Sequence, residues 1–215
     1  MTDSMATYQC RQLQLNECIN RIHQNGIRLV CFDFDQTAYK GHIGGVLTES
    51  TSLLSSTMKR MALDLTPDFL SLVDALYDAH IAVAIVTFGD AERNEIRPLD
   101  DCIVVGGEAL IRPVLNLRLD RLVADQVPIY ALNPHWRNVV GQPSQYQTSK
   151  AWHLASAMQH VDITHSDTVL LIDDSDHNIS EARQSGFHTI SVSPDTGFTA
   201  TQLLDQLPCP PIELV

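Results

Sequence analysis

Asp33 and Asp35 stand two residues apart at the end of an apolar run, Ile27-Arg28-Leu29-Val30-Cys31-Phe32, and Thr37 follows after another two. Side chains alternate along a strand, so on an undistorted strand both carboxylates would point to the same side. Two such groups repel each other and are costly to bury unless a cation or a phosphorylated substrate compensates them. Two later apolar runs also end in polar groups: Ile81–Phe88 carries Thr87, and Thr168–Ile172 ends in Asp173-Asp174. Lys150, at the expected start of a helix, supplies the cation. A lysine there opposes the helix dipole, and such broken local rules tend to fall at functional sites. An anion seated at the helix start, most simply a phosphate, would reconcile the two.

These groups need elements to hold them. The stretch 8–24 reads as a helix with Leu13, Cys18 and Ile22 on one face, preceded by a loose tail and stopped by Asn25-Gly26. After Thr37 a glycine-rich turn through Gly41, Gly44 and Gly45 suits a flap over the strand end. The serine- and threonine-rich piece to Leu65 has no assignable period. Thr66-Pro67 caps a helix to about Ala79, with Phe69, Leu72, Val73 and Leu76 inward. Further on, the pattern predicts a short helix from Asp90 to Pro98, a strand over 102–105, a helix over 108–124 despite Pro113, a strand over 127–132 and an irregular loop over 133–147. Thr148-Ser149 would cap a helix with Ala151, Leu154, Ala155 and Met158 on one face. Ser175 or Asp176 opens a helix closed by Gly186, and 188–192 is the last strand. The alternation implies an α/β fold: one domain with a mostly parallel sheet and helices on both faces. Ligands of such sheets bind outside the carboxyl ends of the strands, where these groups fall.

The chain has 215 residues and a formal charge of −12, which argues against a nucleic-acid face. Its five cysteines are scattered without a CxxC pair, favouring reduced thiols in a cytoplasmic setting. No apolar run has the length of a membrane span, so a soluble protein is expected.

Asp33-Phe34-Asp35-Gln36-Thr37 resembles the DxDxT motif of the haloacid dehalogenase superfamily, in its phosphatase branch. Thr87 is similar to that family's second motif, Lys150 to its third and Asp173-Asp174 to its acidic fourth, all in family order across residues 27–192. The last third is most similar to the small magnesium-dependent phosphatases of the superfamily. The resemblance implies a Rossmann-like core with little or no cap domain and a Mg²⁺-dependent phosphomonoester hydrolase. Asp33 would be the nucleophile and Asp35 the proton shuttle, with Thr87, Phe88, Gly89 and Lys150 around the phosphoryl group. Mg²⁺ would lie on Asp33, the Asp35 carbonyl and Asp174. Asp173 falls where many relatives have glycine and Asn178 where many have an acid. The choice between Asp173 and Asp174 as direct ligand stays open.

Plainer readings apply elsewhere. Asp90 and Asp176 read as helix caps, His42 as an exposed loop residue, His153 as a packing residue and Cys31 as a small buried apolar group. Three other functions use similar residues: a phosphomutase, a receiver-type signalling module and a non-catalytic phosphate-binding scaffold. The receiver order of motifs is the reverse of this one, and the acids are intact. The expected partner is a phosphorylated small molecule or phosphoprotein.

Overall fold

In the computed structural model, which describes residues 2–89, 94–97, 101–131 and 150–209 (2–8 and 94–97 by backbone alone), strand β1 (Leu29–Phe32) occupies the middle of a parallel sheet. Its neighbours are β3 (Ala82–Thr87) on one side and β7 (Val169–Asp173) on the other, with Leu29 level with both Ala82 and Val169. Strand β6 (Ile129–Ala131) lies outside β3 and β8 (His188–Ser191) outside β7, giving the order β6-β3-β1-β7-β8. The chain therefore winds outward on one side of β1 and then returns to build the other. Crevices form where strand order reverses in this way, and here that point lies between β1 and β7.

Every residue of β1 is buried, as expected of a strand covered on both faces. Val30 and Phe32 join one apolar cluster with Phe69, Leu72 and Ile85, while Leu29 and Cys31 join another with Val86, Leu154 and Leu171. Phe32 meets Phe69 and Phe198 edge-on, with ring centres 5.1 and 5.4 Å apart.

Helix α1 runs over Thr2–Gln24, so the expected tail is helical too. Its inward stripe is Leu15, Cys18 and Ile22, spaced by three and four residues; Leu13 lies off that stripe and is 70% exposed. The unassigned piece contains β2 (Val46–Ser50) and helix α2 (Leu54–Leu63). Helix α3 (Pro67–Asp78) is as expected, its Thr66 hydroxyl accepting from the Phe69 N–H and its four apolar positions buried.

Residues 94–97 form a strand, β4 (Asn94–Arg97), where a helix was expected. Antiparallel pairing decides this: Asn94 stands opposite Val105 and Arg97 opposite Cys102 on β5 (Cys102–Gly106). β5 is a strand as expected but lies outside the main sheet, between β2 and β4 in a three-stranded antiparallel sheet. The expected helix over 108–124 is two: α4 (Gly107–Asn116), with Pro113 inside on its exposed side, and α5 (Arg121–Gln126). Asp120 interrupts them by accepting the Leu122 N–H and starting α5 afresh.

Helix α6 (Ala151–His160) buries His153, Leu154 and Ala157, whereas Ala151 and Ala155 are exposed. Helix α7 (Asp176–Gln184) has Ser175 as its cap. A last helix, α8 (Ala200–Gln206), was not foreseen, although the reciprocal Thr199–Gln202 capping box is visible in the sequence. The loop over 133–147, the Thr148-Ser149 cap and Asp90 lie outside the described residues.

Candidate active site

Asp33 is the first residue after β1, and its N–H donates to the Ile172 carbonyl at 2.9 Å, carrying the ladder to β7 one step further. The chain then leaves the strand. Tyr39 N–H donates back to the Phe34 carbonyl at 2.8 Å, and Gln36 adopts a left-handed φ of 57°. The turn separates the two acids that an unbroken strand would have aligned. The Asp35 carboxylate is directed to the flap, where Oδ2 accepts the Ile43 and Gly44 N–H groups at 2.8 and 3.0 Å. His42 Nδ1 lies 3.4 Å from the same oxygen. Burial pushes the Asp35 carboxyl above its ordinary value, against the pull of those two amides.

Lys150 precedes α6, and its ammonium reaches back across the sheet end. Nζ donates to Asp33 Oδ1 at 2.7 Å and to the Val86 carbonyl at 2.8 Å, and lies 3.7 Å from Asp173 Oδ2. The side chain is 1% exposed, so these partners replace its water.

Asp173 ends β7 fully buried. Its Oδ1 accepts the Ser175 backbone N–H at 2.9 Å, and the Asn178 side-chain amide reaches both oxygens. Burial, then the Asp33 charge, pushes this carboxyl up to about 7, opposed by Lys150 and Asn178. Asp174 is half-buried and accepts a long bond, 3.4 Å, from the Thr37 hydroxyl. Burial and Asp33 push it upward too.

Asp33, Asp173 and Asp174 each offer an oxygen, and these atoms lie within 4.8 Å of one another. Among the described residues one ammonium, that of Lys150, is bonded within this group of three carboxylates, fewer positive charges than acids. Hard oxygen donors and a charge deficit of this kind suit Mg²⁺, which binds through a few carboxylates and retains water. The Asp35 carboxylate is not part of that cluster; the resemblance assigned it a ligand through its backbone carbonyl only.

Thr87 is buried at the end of β3, one residue beyond the carbonyl that holds Lys150. The flap runs close above this loop. Gly45, at φ 87°, begins the approach to β2, and a β-carbon there would lie 3.0 Å from the Phe88 carbonyl oxygen and 3.2 Å from Gly89 Cα. The structure thus brings Asp33, Thr87, Lys150, Asp173 and Asp174 to adjacent strand ends, with Asp35 beside them on the flap side. Thr37, Ile43, Gly44 and Asn178 make contacts that the sequence reading did not assign to them. Thr37 touches Asp174, the Ile43 and Gly44 amides hold Asp35, and Asn178 binds Asp173 rather than standing as a ligand. The three-residue spacing from the Ser175 cap to Asn178 is the one local signal that could have placed the last of these.

His153 is buried, as expected of a packing residue, its ring edge-on to Phe88 and Trp152, with centres 5.3 Å away in both cases. Cys31 is fully buried and its thiol is pushed up by desolvation, which leaves it inert.

No family model matches the chain, and no curated protein matches it either. Solved structures do. The N-terminal phosphatase-containing part of BF1531 from Bacteroides fragilis, complexed with Mg, superposes with a TM-score of 0.51 at 12% identity, over 85% of this chain and 41% of that one. DsGPDH of Dunaliella salina gives 0.46 at 14% identity over 87% and 27%. The 3-deoxy-D-manno-octulosonate 8-phosphate phosphatase of Moraxella catarrhalis gives 0.38 at 17% identity over 86% and 76%. The chain spans 27% and 41% of the first two of these larger proteins' lengths when taken in the order Dunaliella, Bacteroides. What it shares with the Bacteroides protein is the fold, a Rossmann-like α/β architecture built on a parallel sheet.

Proposed function

We propose that the protein is a Mg²⁺-dependent phosphomonoester hydrolase that works through an aspartyl-phosphate on Asp33. The observation that carries this reading is the Lys150 ammonium, 1% exposed and bonded at 2.7 Å to Asp33 Oδ1 beside two further buried or half-buried acids. A lysine held this deeply among carboxylates at a strand-end crevice suits an anionic substrate better than a purely structural ion pair.

In the first step an Asp33 carboxylate oxygen attacks phosphorus, the bond to the leaving oxygen breaks, and Asp35 gives that oxygen its proton. In the second, Asp35 takes a proton from a water whose oxygen attacks the phosphoryl group, releasing phosphate and restoring Asp33. The upward push on the Asp35 carboxyl favours the protonated form that the first step uses. Lys150 and Thr87 would hold phosphoryl oxygens, and the backbone at Phe88 and Gly89 would complete that cradle. Asp33, Asp174 and the Asp35 carbonyl would hold Mg²⁺, with Asp173 behind them. Bound there, the ion supplies positive charge to the phosphoryl oxygens, on which this chemistry mainly depends.

Hydrolysis of an aryl phosphate, with Mg²⁺ and with chelator, tests the reading. Activity that needs the ion and disappears in Asp33→Asn is expected. Turnover that persists in the variant or in chelator rejects the mechanism.

A further inference from the structure

We infer that the ring of Phe88 is a positioning residue for Lys150, fixing the ammonium through its face. The inference rests on the phosphatase reading for its kinetic consequence and on the structure alone for the contact. Lys150 Nζ lies 4.5 Å from the centre of the Phe88 ring. Its two short bonds go to Asp33 Oδ1 and the Val86 carbonyl, and Asp173 at 3.7 Å is beyond hydrogen-bond range. An ammonium has three N–H groups, so two are committed and the head could pivot about those bonds. The aromatic face closes one side of that pivot. A ring quadrupole attracts a cation most where water is excluded, and Lys150 is 1% exposed.

The ring is itself held. His153, buried in α6 one turn after Lys150, meets Phe88 edge-on at 5.3 Å and Trp152 edge-on at the same distance. Lys150, Trp152 and His153 therefore come from one stretch of chain, and Phe88 from the loop after β3 contacts both the ammonium and the imidazole. The loop carrying Thr87 and the helix carrying Lys150 are tied together by this contact, so the two groups expected to hold phosphoryl oxygens keep a fixed separation. Phe88 contributes its face to the lysine as well as its backbone to the cradle.

The test replaces Phe88 with phenylalanines of rising fluorination, which drain the face of negative potential at nearly constant shape, and adds Phe88→Tyr and Phe88→Leu. With an aryl phosphate and Mg²⁺, kcat/KM is expected to fall stepwise with fluorination, to fall about ten-fold in Phe88→Leu and to fall less in Phe88→Tyr, which keeps the aromatic face. The inhibition constant of inorganic phosphate should weaken in parallel. A double-mutant cycle on the urea midpoint pairs Phe88→Leu with Lys150→Met, and the loss from Phe88→Leu should shrink when Lys150 is absent. A flat fluorination series with no coupling in the cycle overturns the inference and leaves the phosphatase reading intact. A wild-type protein that hydrolyses nothing overturns that reading, while the cycle still decides whether Phe88 holds Lys150.

Discussion

The side-chain amide of Asn178 donates to both carboxylate oxygens of Asp173, at 3.0 and 3.2 Å. With the Ser175 N–H on Oδ1, these bonds commit Asp173 to the first turn of α7, whereas Asp174 beside it is held by its own backbone N–H and a long bond from Thr37. The neighbouring acids are thus distinguished by their partners: one is anchored, the other is freer to turn toward a cation. Asp174→Asn is expected to abolish saturation of activity by Mg²⁺. Asn178→Leu, which only unfastens the support, should raise the half-saturating Mg²⁺ concentration about ten-fold. Titrating activity with Mg²⁺ checks both, and equal losses would contradict the division of roles.

Three carboxylates around one ammonium also make a stability statement. Burial and the Asp33 charge push Asp174 upward, so the fold disfavours its ionised form. For a raised acid, stability is full below the unfolded value and is lost as pH rises through the folded one. Removing that charge should therefore raise the melting midpoint in chelator at neutral pH. Wild type should gain about 5 °C or more when Mg²⁺ is present at about 100 times its dissociation constant, and Asp174→Asn should gain almost nothing. Differential scanning calorimetry with and without the ion reads both effects.

Gly45 tests the link between flap and proton transfer. A side chain there would press on the Phe88 carbonyl and Gly89 Cα at a φ of 87°, lifting the segment whose neighbouring amides hold Asp35. Gly45→Ala should slow hydrolysis of alkyl phosphates about ten-fold or more, and of p-nitrophenyl phosphate far less, because only the poor leaving group needs the Asp35 proton. Equal slowing of both would point to a general loss of folding instead.

Cys18 provides a pH prediction far from the site. Desolvation in the α1 interface pushes its thiol from 9.0 up to about 12, with Asp68 adding to the push. A raised group stabilises fully below its unfolded value, and the contribution disappears as pH rises from there to the folded value. Unfolding free energy should fall between pH 9 and pH 12. The slope should be steeper than in Cys18→Ala by up to about 1.4 kcal/mol per pH unit. Urea titrations at several alkaline pH values measure the difference.

The site was legible wherever a chemical group closes a local pattern. Asp33, Thr87 and Asp173-Asp174 each end an apolar run, and Lys150 opens a helix against the dipole. Parallel strands buried on both faces read as such runs, which is why the main sheet was largely visible too. Long-range pairing was not visible. Ile103-Val104-Val105 reads as an apolar strand in any sheet, and nothing local says that its partners are Val46–Ser50 and Asn94–Arg97. The polar Asn94-Glu95-Ile96-Arg97 suits a helix until β5 is beside it. The direction of Asp35 depends on amides eight and nine residues later, brought back by a turn whose Gln36 N–H donates to the Gly41 carbonyl. Leu13 and Leu15 are equally apolar, and only the packing of α1 chose between them.

The three-stranded sheet has a bearing on folding order. β2 enters from the connection after β1, and β5 and β4 from the connection after β3, with Val46 opposite Gly106. Neither connection can make this sheet by itself, and closing such a separation is slow compared with forming helices. Pairing of β1 with β3 brings β2 and β5 within reach of each other. The flap that holds Asp35 leads directly into β2, so refolding chains should recover their main sheet first and the amide contacts of Asp35 last.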